Sequence, residues 1–221
     1  MRSPRPALPA RPPTLLPGAL LSGAFAVLLA LVATGWGPLL TLDVGLANGL
    51  HRWAVDDPGA TRTNRILSDW VWDPWAMRAV VAAVFVWLLL RGERLAAMWI
   101  AVTSAVGAFV QQVLKSAVGR ERPQWADPVD SAHYAAFPSG HAMTATVTFG
   151  LLLWLMWLYG APRAARVALL AVGVVSVVGV GFTRLYLGVH WFSDVLAGWL
   201  LGTVAVLLSA ALYAYRTAPR G

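Results

Sequence analysis

Three short clusters hold the side chains best suited to chemistry on an anion. The first is Lys115, six residues, then Arg122-Pro123. If the helix carrying Lys115 continues, seven residues make about two turns and both cations share a face. No acid shares that face, which is the charge balance of an anion site. The second is Pro138-Ser139-Gly140-His141, at the head of an apolar run. Ser139 is placed to cap a helix, and free N–H groups beside a glycine at a helix start favour phosphate. His141 falls in that first turn. The third is Thr183-Arg184, five residues, His190, three residues, Asp194. The i, i+4 spacing makes His190 and Asp194 neighbours on one helix. A carboxylate beside an imidazole fixes its tautomer and raises its basicity, leaving the far ring nitrogen as a nucleophile or base. Arg184 adds a forked donor matched to phosphate oxygens.

Taken singly, each cluster has a plainer reading. Lys115 and Arg122 are also what snorkelling cations at a helix end look like. Pro138–His141 is also a capping turn with an incidental histidine. His190 and Asp194 also make an ordinary contact at an interfacial helix start. The chemistry therefore depends on whether the rest of the chain brings the clusters together.

The 221 residues are 58% hydrophobic, 12% charged and free of cysteine. A soluble domain carries about 25% charged residues, so this chain cannot cover a water-facing surface in the usual way. The apolar content excludes disorder, and the missing thiols exclude a disulfide scaffold and every cysteine-ligated metal site. A single membrane domain remains, and twelve tryptophans fit it, since indole rings favour the headgroup boundary. The net charge of +7 does not indicate a nucleic-acid partner. Sixteen of the seventeen basic residues are arginines at the ends of apolar runs, and Lys115 is the single lysine.

The runs predict an all-α bundle of six transmembrane helices over residues 18–215. They cover about Gly18–Leu42, Pro74–Leu90, Leu95–Leu114, His141–Tyr159, Ala164–Phe182 and His190–Tyr215, with a short interfacial helix over Leu42–Val55. Thr183–Val189 reads as a connector. Residues 1–17, with three arginines and six prolines, read as a flexible cytoplasmic tail, and 216–221 as a second, short one. A cleaved signal peptide is the competing reading of the N-terminus, but the apolar run is longer than a signal core. With the N-terminus in the cytoplasm, the cytoplasmic segments hold nine arginines against Glu93 alone, and the other nine acids fall on the far side. Both termini are then cytoplasmic, and all three clusters meet at the non-cytoplasmic face. Three cations, a serine, a backbone anion nest, two histidines and one carboxylate describe phosphoryl transfer without a metal.

These clusters resemble the signature of the type-2 phosphatidic acid phosphatase family, which also includes vanadium haloperoxidases and glucose-6-phosphatase. The pattern is Lys-x6-Arg-Pro, Pro-Ser-Gly-His and Ser-Arg-x5-His-x3-Asp. The chain matches at Lys115, Arg122, Pro123, Pro138, Ser139, Gly140, His141, Arg184, His190 and Asp194. It departs only at Thr183, which keeps the hydroxyl of the usual serine. The resemblance implies that His190 attacks phosphorus and becomes a phosphohistidine, that Asp194 holds its tautomer, and that His141 protonates the leaving oxygen and then activates water. It implies that Lys115, Arg122 and Arg184, with Ser139 and the Gly140 amide, bind the phosphoryl oxygens, with neither metal nor cofactor. The expected substrate is a bilayer lipid phosphate or pyrophosphate: undecaprenyl pyrophosphate, phosphatidylglycerol phosphate or phosphatidic acid. The expected location is the inner (plasma) membrane of a bacterium. A lipid-linked phosphotransferase and a non-catalytic lipid-phosphate binder are the rival readings, and six spans argue against a haloperoxidase.

The remaining polar residues receive plainer expectations. His51 and Arg52 belong at the interface, His133 in solvent, and Asp127 and Asp130 facing water. Arg120 and Glu121 position their loop, and Trp125 and Tyr134 line the lipid entrance. Gly198 and Gly202 form a helix-packing pair.

Overall fold

The computed structural model describes residues 15–218, and within them the regular structure is helical throughout. Arg2, Arg5, Arg11 and Arg220 of the expected tails lie outside the described residues. Leu15, Leu16 and Pro17 belong to the first turn of α1, Leu15–Ala33, rather than to a tail. The first apolar run does not continue to Leu42. Gly35 adopts a left-handed φ of 67°, and Pro38 sits in the first turn of a new helix, so the chain breaks at residues 34–36. The new helix, α2, spans Gly37–Asp56 and is longer than the expected interfacial segment. Asp57 caps α3, Pro58–Ile66, by accepting from the Ala60 N–H at 2.9 Å, and Thr61 Oγ1 closes the α2–α3 corner on the Ala54 carbonyl. A π-helical turn over Leu67–Val71 follows.

α4 spans Pro74–Leu90, starting where the sequence predicts. The cause is local: the Asp73 carboxylate accepts from the N–H groups of Trp75 and Ala76 at 2.7 and 3.3 Å, and proline needs no partner at the first helical position. α5 spans Arg94–Val118 and so carries Lys115 inside its last turn. Gly119 ends it in the left-handed conformation, its N–H bonded to the Lys115 carbonyl. Arg122 therefore lies beyond the helix and does not share a helical face with Lys115. α6 (Gly140–Leu158), α7 (Arg163–Tyr186) and α8 (Phe192–Thr217) complete the chain. Thr183 and Arg184 close α7 instead of joining a connector, and His190 precedes α8 rather than starting it.

Among the described residues, six helical stretches are long and apolar enough to cross a membrane, the second being Pro58–Leu90 taken as one. α6 is the centre, packed by α4, α5, α7 and α8, with α1 on the outer side of α8. One core joins Val81 and Leu88 of α4, Ile100 of α5, and Met143, Val147 and Leu151 of α6. A second core seats Leu28 and Val32 of α1 against Phe137 and Ala197. At one end of the bundle lie the C-termini of α5 and α7 and the N-termini of α4, α6 and α8, with α2 bonded to residues there. Trp36, Trp53, Trp70 and Trp75 are exposed near this end, and Trp87 and Trp157 near the other. Arginines Arg91 and Arg166 stack over those last two rings at 5.2 and 3.7 Å. Two such tiers are what a bilayer's interfaces select.

α6 and α8 approach through the predicted glycine pair. A Cβ on Gly198 would lie 2.7 Å from the Ser139 carbonyl, and one on Gly202 would lie 2.8 Å from Thr146 Cβ. Gly198→Ala is therefore expected to lower unfolding stability in detergent by about 1–3 kcal/mol through overpacking. Gly23→Ala, where a Cβ meets nothing within 4 Å, is the control. Equal melting temperatures for the two variants would contradict the packing account.

Candidate active site

The site is built around a buried charge network. Asp194 is fully buried in the first turn of α8. Its Oδ2 accepts from the Trp191 N–H at 2.9 Å and lies 3.3 Å from His190 Nδ1. Its Oδ1 accepts from Arg120 Nη1 at 2.6 Å. The other arm of Arg120 donates to Asp43 Oδ2 of α2 at 2.7 Å, and Asp43 also accepts from the Ser193 N–H and hydroxyl. Arg120 thus binds two buried carboxylates, where the sequence predicted only that it positions a loop. Neither Asp43 nor Ser193 was among the expected site residues. The sequence did carry one signal for Asp43, a lone acid in an otherwise apolar stretch between residues 38 and 47.

His190 faces the opposite way through Nε2, which lies 3.1 Å from Arg122 Nη1. A guanidinium can only donate, so Nε2 accepts and the ring proton sits on Nδ1, toward Asp194. Burial, and then the charges of Arg122, Arg184, Lys115 and Arg120, hold His190 well below the ordinary imidazole pKa. The ring is therefore neutral at neutral pH, and its Nε2 lone pair accepts from Arg122. Burial, then the neighbouring Arg184, lowers Arg122 to about 10, so it stays cationic.

A cavity of ≈ 530 Å³ opens at this end of the bundle, and Lys115, Arg122, Gly140, His141, Arg184 and His190 all line it. Asp194 stands behind His190. Ser139 does not line the cavity: its Oγ is buried without a partner, while its N–H donates to the Asp194 carbonyl at 2.9 Å and so ties α6 to α8. The cations are held by the protein. Lys115 Nζ donates to the Ala135 carbonyl, and Arg122 to the carbonyls of His133, Tyr134 and Val189. Arg184 Nη1 donates to Ser68 Oγ at 2.7 Å, with Asp69 and Asp130 at 3.8 and 3.9 Å.

Other expectations change. Asp130 faces Arg184 and not open water. His51 is buried, stacked on Trp125 at 3.8 Å, with Nε2 3.1 Å from Asp127. That hydrogen bond draws Asp127 below the usual carboxylate range. Trp125 thus clamps the 119–139 loop to α2 and does not line the cavity, whereas Tyr134 does. His133 is exposed, as expected, and contributes only its carbonyl.

The comparisons with known proteins point the same way. The family model of the PAP2 superfamily matches residues 96–218. The chain is 34% identical over 100 residues to phosphatidylglycerophosphatase B of Bacillus subtilis (strain 168), a match covering 45% of this chain and 49% of that protein. It is 33% identical over 84 residues to an undecaprenyl-diphosphatase of Sulfolobus acidocaldarius, covering 35% of this chain and 33% of that protein. The chain thus spans about half the length of the first relative and a third of the second. A crystal structure of a transmembrane PAP2 type phosphatidylglycerolphosphate phosphatase from Bacillus subtilis superposes with a TM-score of 0.80 at 20% identity, covering 92% of this chain and 98% of that one. That likeness is one of fold.

Removing Arg120 strands two buried carboxylates. Arg120→Met is expected to destabilise the protein by about 3–5 kcal/mol, read by chemical or thermal unfolding in detergent; a loss below about 1 kcal/mol would mean that the network does not hold the fold. The His190 shift adds a pH dependence. A histidine with a depressed folded-state pKa takes up protons on unfolding below its unfolded value of about 6.5. Its contribution is complete above that pH and declines as the pH falls. Melting temperature should drop from about pH 7 to about pH 5, and His190→Gln should flatten part of that slope.

Proposed function

Because the chain belongs to the PAP2 superfamily, we propose that it is a membrane-embedded phosphatase of lipid phosphates or pyrophosphates. It works through a phosphohistidine and needs no metal. The observation that carries the proposal is His190, held by Asp194 on one side and presenting Nε2 on the other to a cavity whose lining includes Lys115, Arg122, Arg184 and His141. In the proposed reaction Nε2 forms a bond to phosphorus while the P–O bond to the leaving group breaks. His141 delivers the proton to the departing oxygen, then takes one from the water that cleaves the P–N bond. Lys115, Arg122 and Arg184 neutralise the equatorial oxygens. The substrates are undecaprenyl pyrophosphate, phosphatidylglycerol phosphate or phosphatidic acid, and the first two carry the chemistry named in the two relatives.

The proposed setting is a bacterial inner membrane with both termini in the cytoplasm. Charge placement supports it. Arg91, Arg94, Arg163, Arg166 and Arg216 gather at the end of the bundle opposite the cavity, and by the positive-inside rule this supports a cavity on the non-cytoplasmic side.

The experiment is release of inorganic phosphate by the purified protein from those three lipids, with no second acceptor and with excess chelator. Release should persist under chelation, and His190→Ala should abolish it by on the order of a thousandfold or more. Release only when an acceptor lipid is added would establish a transferase instead. Lipid binding without turnover would establish a binder, and activity lost to chelator but restored by Mg²⁺ would refute the metal-free mechanism.

A further inference from the structure

The cavity holds polar groups that the proposed mechanism does not use. At ≈ 530 Å³ it is of the size that encloses a drug-sized ligand rather than a lone phosphoryl group. Arg78 of α4, Gln111 of α5 and Thr144 of α6 also line it. Each lies one helical turn further into the bundle than a residue at the site end: Arg78 from Pro74, Gln111 from Lys115, Thr144 from Gly140. Four residues rise about 6 Å along the helix. These three form a second polar tier, deeper in the membrane than the tier holding Lys115 and His141. Arg78 and Thr144 also line a small cavity that continues inward between α4, α5 and α6.

Two features of this tier call for a ligand. Arg78 makes no ion pair among the described residues. Its guanidinium lies over the Trp75 ring at 5.0 Å; of the three acids that line the cavity, Asp73 caps α4 through Oδ1, and Asp69 and Asp130 lie at 3.8 and 3.9 Å from Arg184. An arginine of a membrane helix that faces a polar cavity with no acid paired to it is free to meet an anion. Gln111 is 8% exposed, and its amide has no hydrogen bond among the described residues. The amide fills the space above Gly140, where a Cβ would stand 2.9 Å from Nε2. Gln111 lines the cavity, so its amide is available to a ligand there.

The geometry points to a second anion subsite in which Arg78, with Gln111 and Thr144, holds a phosphate on the leaving group. This rests on the phosphatase reading above and adds its selectivity. A lipid enters with its tails toward the bilayer centre, so the terminal phosphate occupies the outer tier and the group bonded to it occupies the inner one. Where the leaving group carries a second phosphate, the guanidinium meets two of its oxygens in its preferred fork. Where the leaving group is diacylglycerol, with no second phosphate, Arg78 remains unanswered. The shared chemistry is a lipid with two phosphorus centres, adjacent in a polyprenyl pyrophosphate or one glycerol apart in phosphatidylglycerol phosphate. Phosphatidic acid has only one.

The test measures kcat and KM on these three lipids for the full chain and for Arg78→Gln, Arg78→Lys and Gln111→Met. The readout is the ratio of kcat/KM on each two-phosphate lipid to that on phosphatidic acid. Arg78→Gln should lower the ratio about tenfold, through KM, as expected for one charge-assisted contact. Arg78→Lys should recover much of it, and Gln111→Met should lower it less. The lipid showing the larger fall identifies the phosphate spacing. A ratio within about twofold of the parent protein in both Arg78→Gln and Gln111→Met, or an equal loss on all three lipids, overturns the subsite. Equilibrium binding of the same lipids to the His190→Ala protein, with and without Arg78→Gln, decides the subsite without turnover. If the parent protein hydrolyses none of the lipids, the phosphatase reading falls while this binding comparison still stands.

Discussion

One guanidinium organises the end of the bundle on which the candidate site is built. Arg120 belongs to no regular element; it follows the glycine that ends α5. It nevertheless reaches Asp43 of α2 and Asp194 of α8 with a separate arm for each, at 2.7 and 2.6 Å. Two carboxylates and one guanidinium taken out of water carry a large desolvation penalty unless every group is met. Here they are met. Asp43 takes two further bonds from Ser193, Asp194 takes one from the Trp191 N–H, and the Trp191 ring lies 5.6 Å from the guanidinium carbon. The network excludes other arrangements: a shift of α2 or of the loop would leave an uncompensated charge in the protein interior. Asp194, fixed in this way, in turn fixes His190.

A second constraint is backbone approach. Asp194 also touches α6, since its carbonyl accepts from the Ser139 N–H at the head of that helix. The contact needs α6 and α8 close together, and Gly198 makes that possible, because a Cβ there would strike the Ser139 carbonyl. Ser139 therefore serves the site through its main chain. The hydroxyl that the motif would give to phosphate is buried without a partner. His141, two residues on, stands in the cavity. The packing seam and the chemistry are thus set by the same few residues.

Much of this was legible in the sequence, for local reasons. Six spans follow from apolar runs separated by arginine-bearing turns, and α4 begins at Pro74 because Asp73-Pro74 is capping chemistry within one turn. Most of the site residues were visible because their spacing is a motif. What was not legible depends on partners far away in the chain. Arg120 and Asp43 are 77 residues apart, and no local pattern joins them. The break at residues 34–36 was hidden because an apolar run reads the same on either side of a left-handed glycine. His190 read as helical from its spacing to Asp194. In the fold that spacing serves a different purpose: Asp194 reaches back to cap the N–H of Trp191, so the helix starts after the histidine.

The resting hydrogen bonds of the cations bear directly on how such a site distinguishes its ligands. Lys115 and Arg122 are held by the carbonyls of residues 133–135 and 189, which are neutral acceptors. A neutral ligand oxygen arriving in the cavity could only replace one carbonyl with another of similar strength. A phosphate oxygen offers a charged acceptor, and bonds to charged acceptors are about twice as strong. The exchange is therefore favourable only for an anion. Arg122 also covers His190 Nε2, the atom that attacks phosphorus in the proposed reaction. Drawing that guanidinium onto a phosphoryl oxygen uncovers the nitrogen lone pair in the same movement. In the proposed reaction, anion binding and release of the nucleophile then become one event.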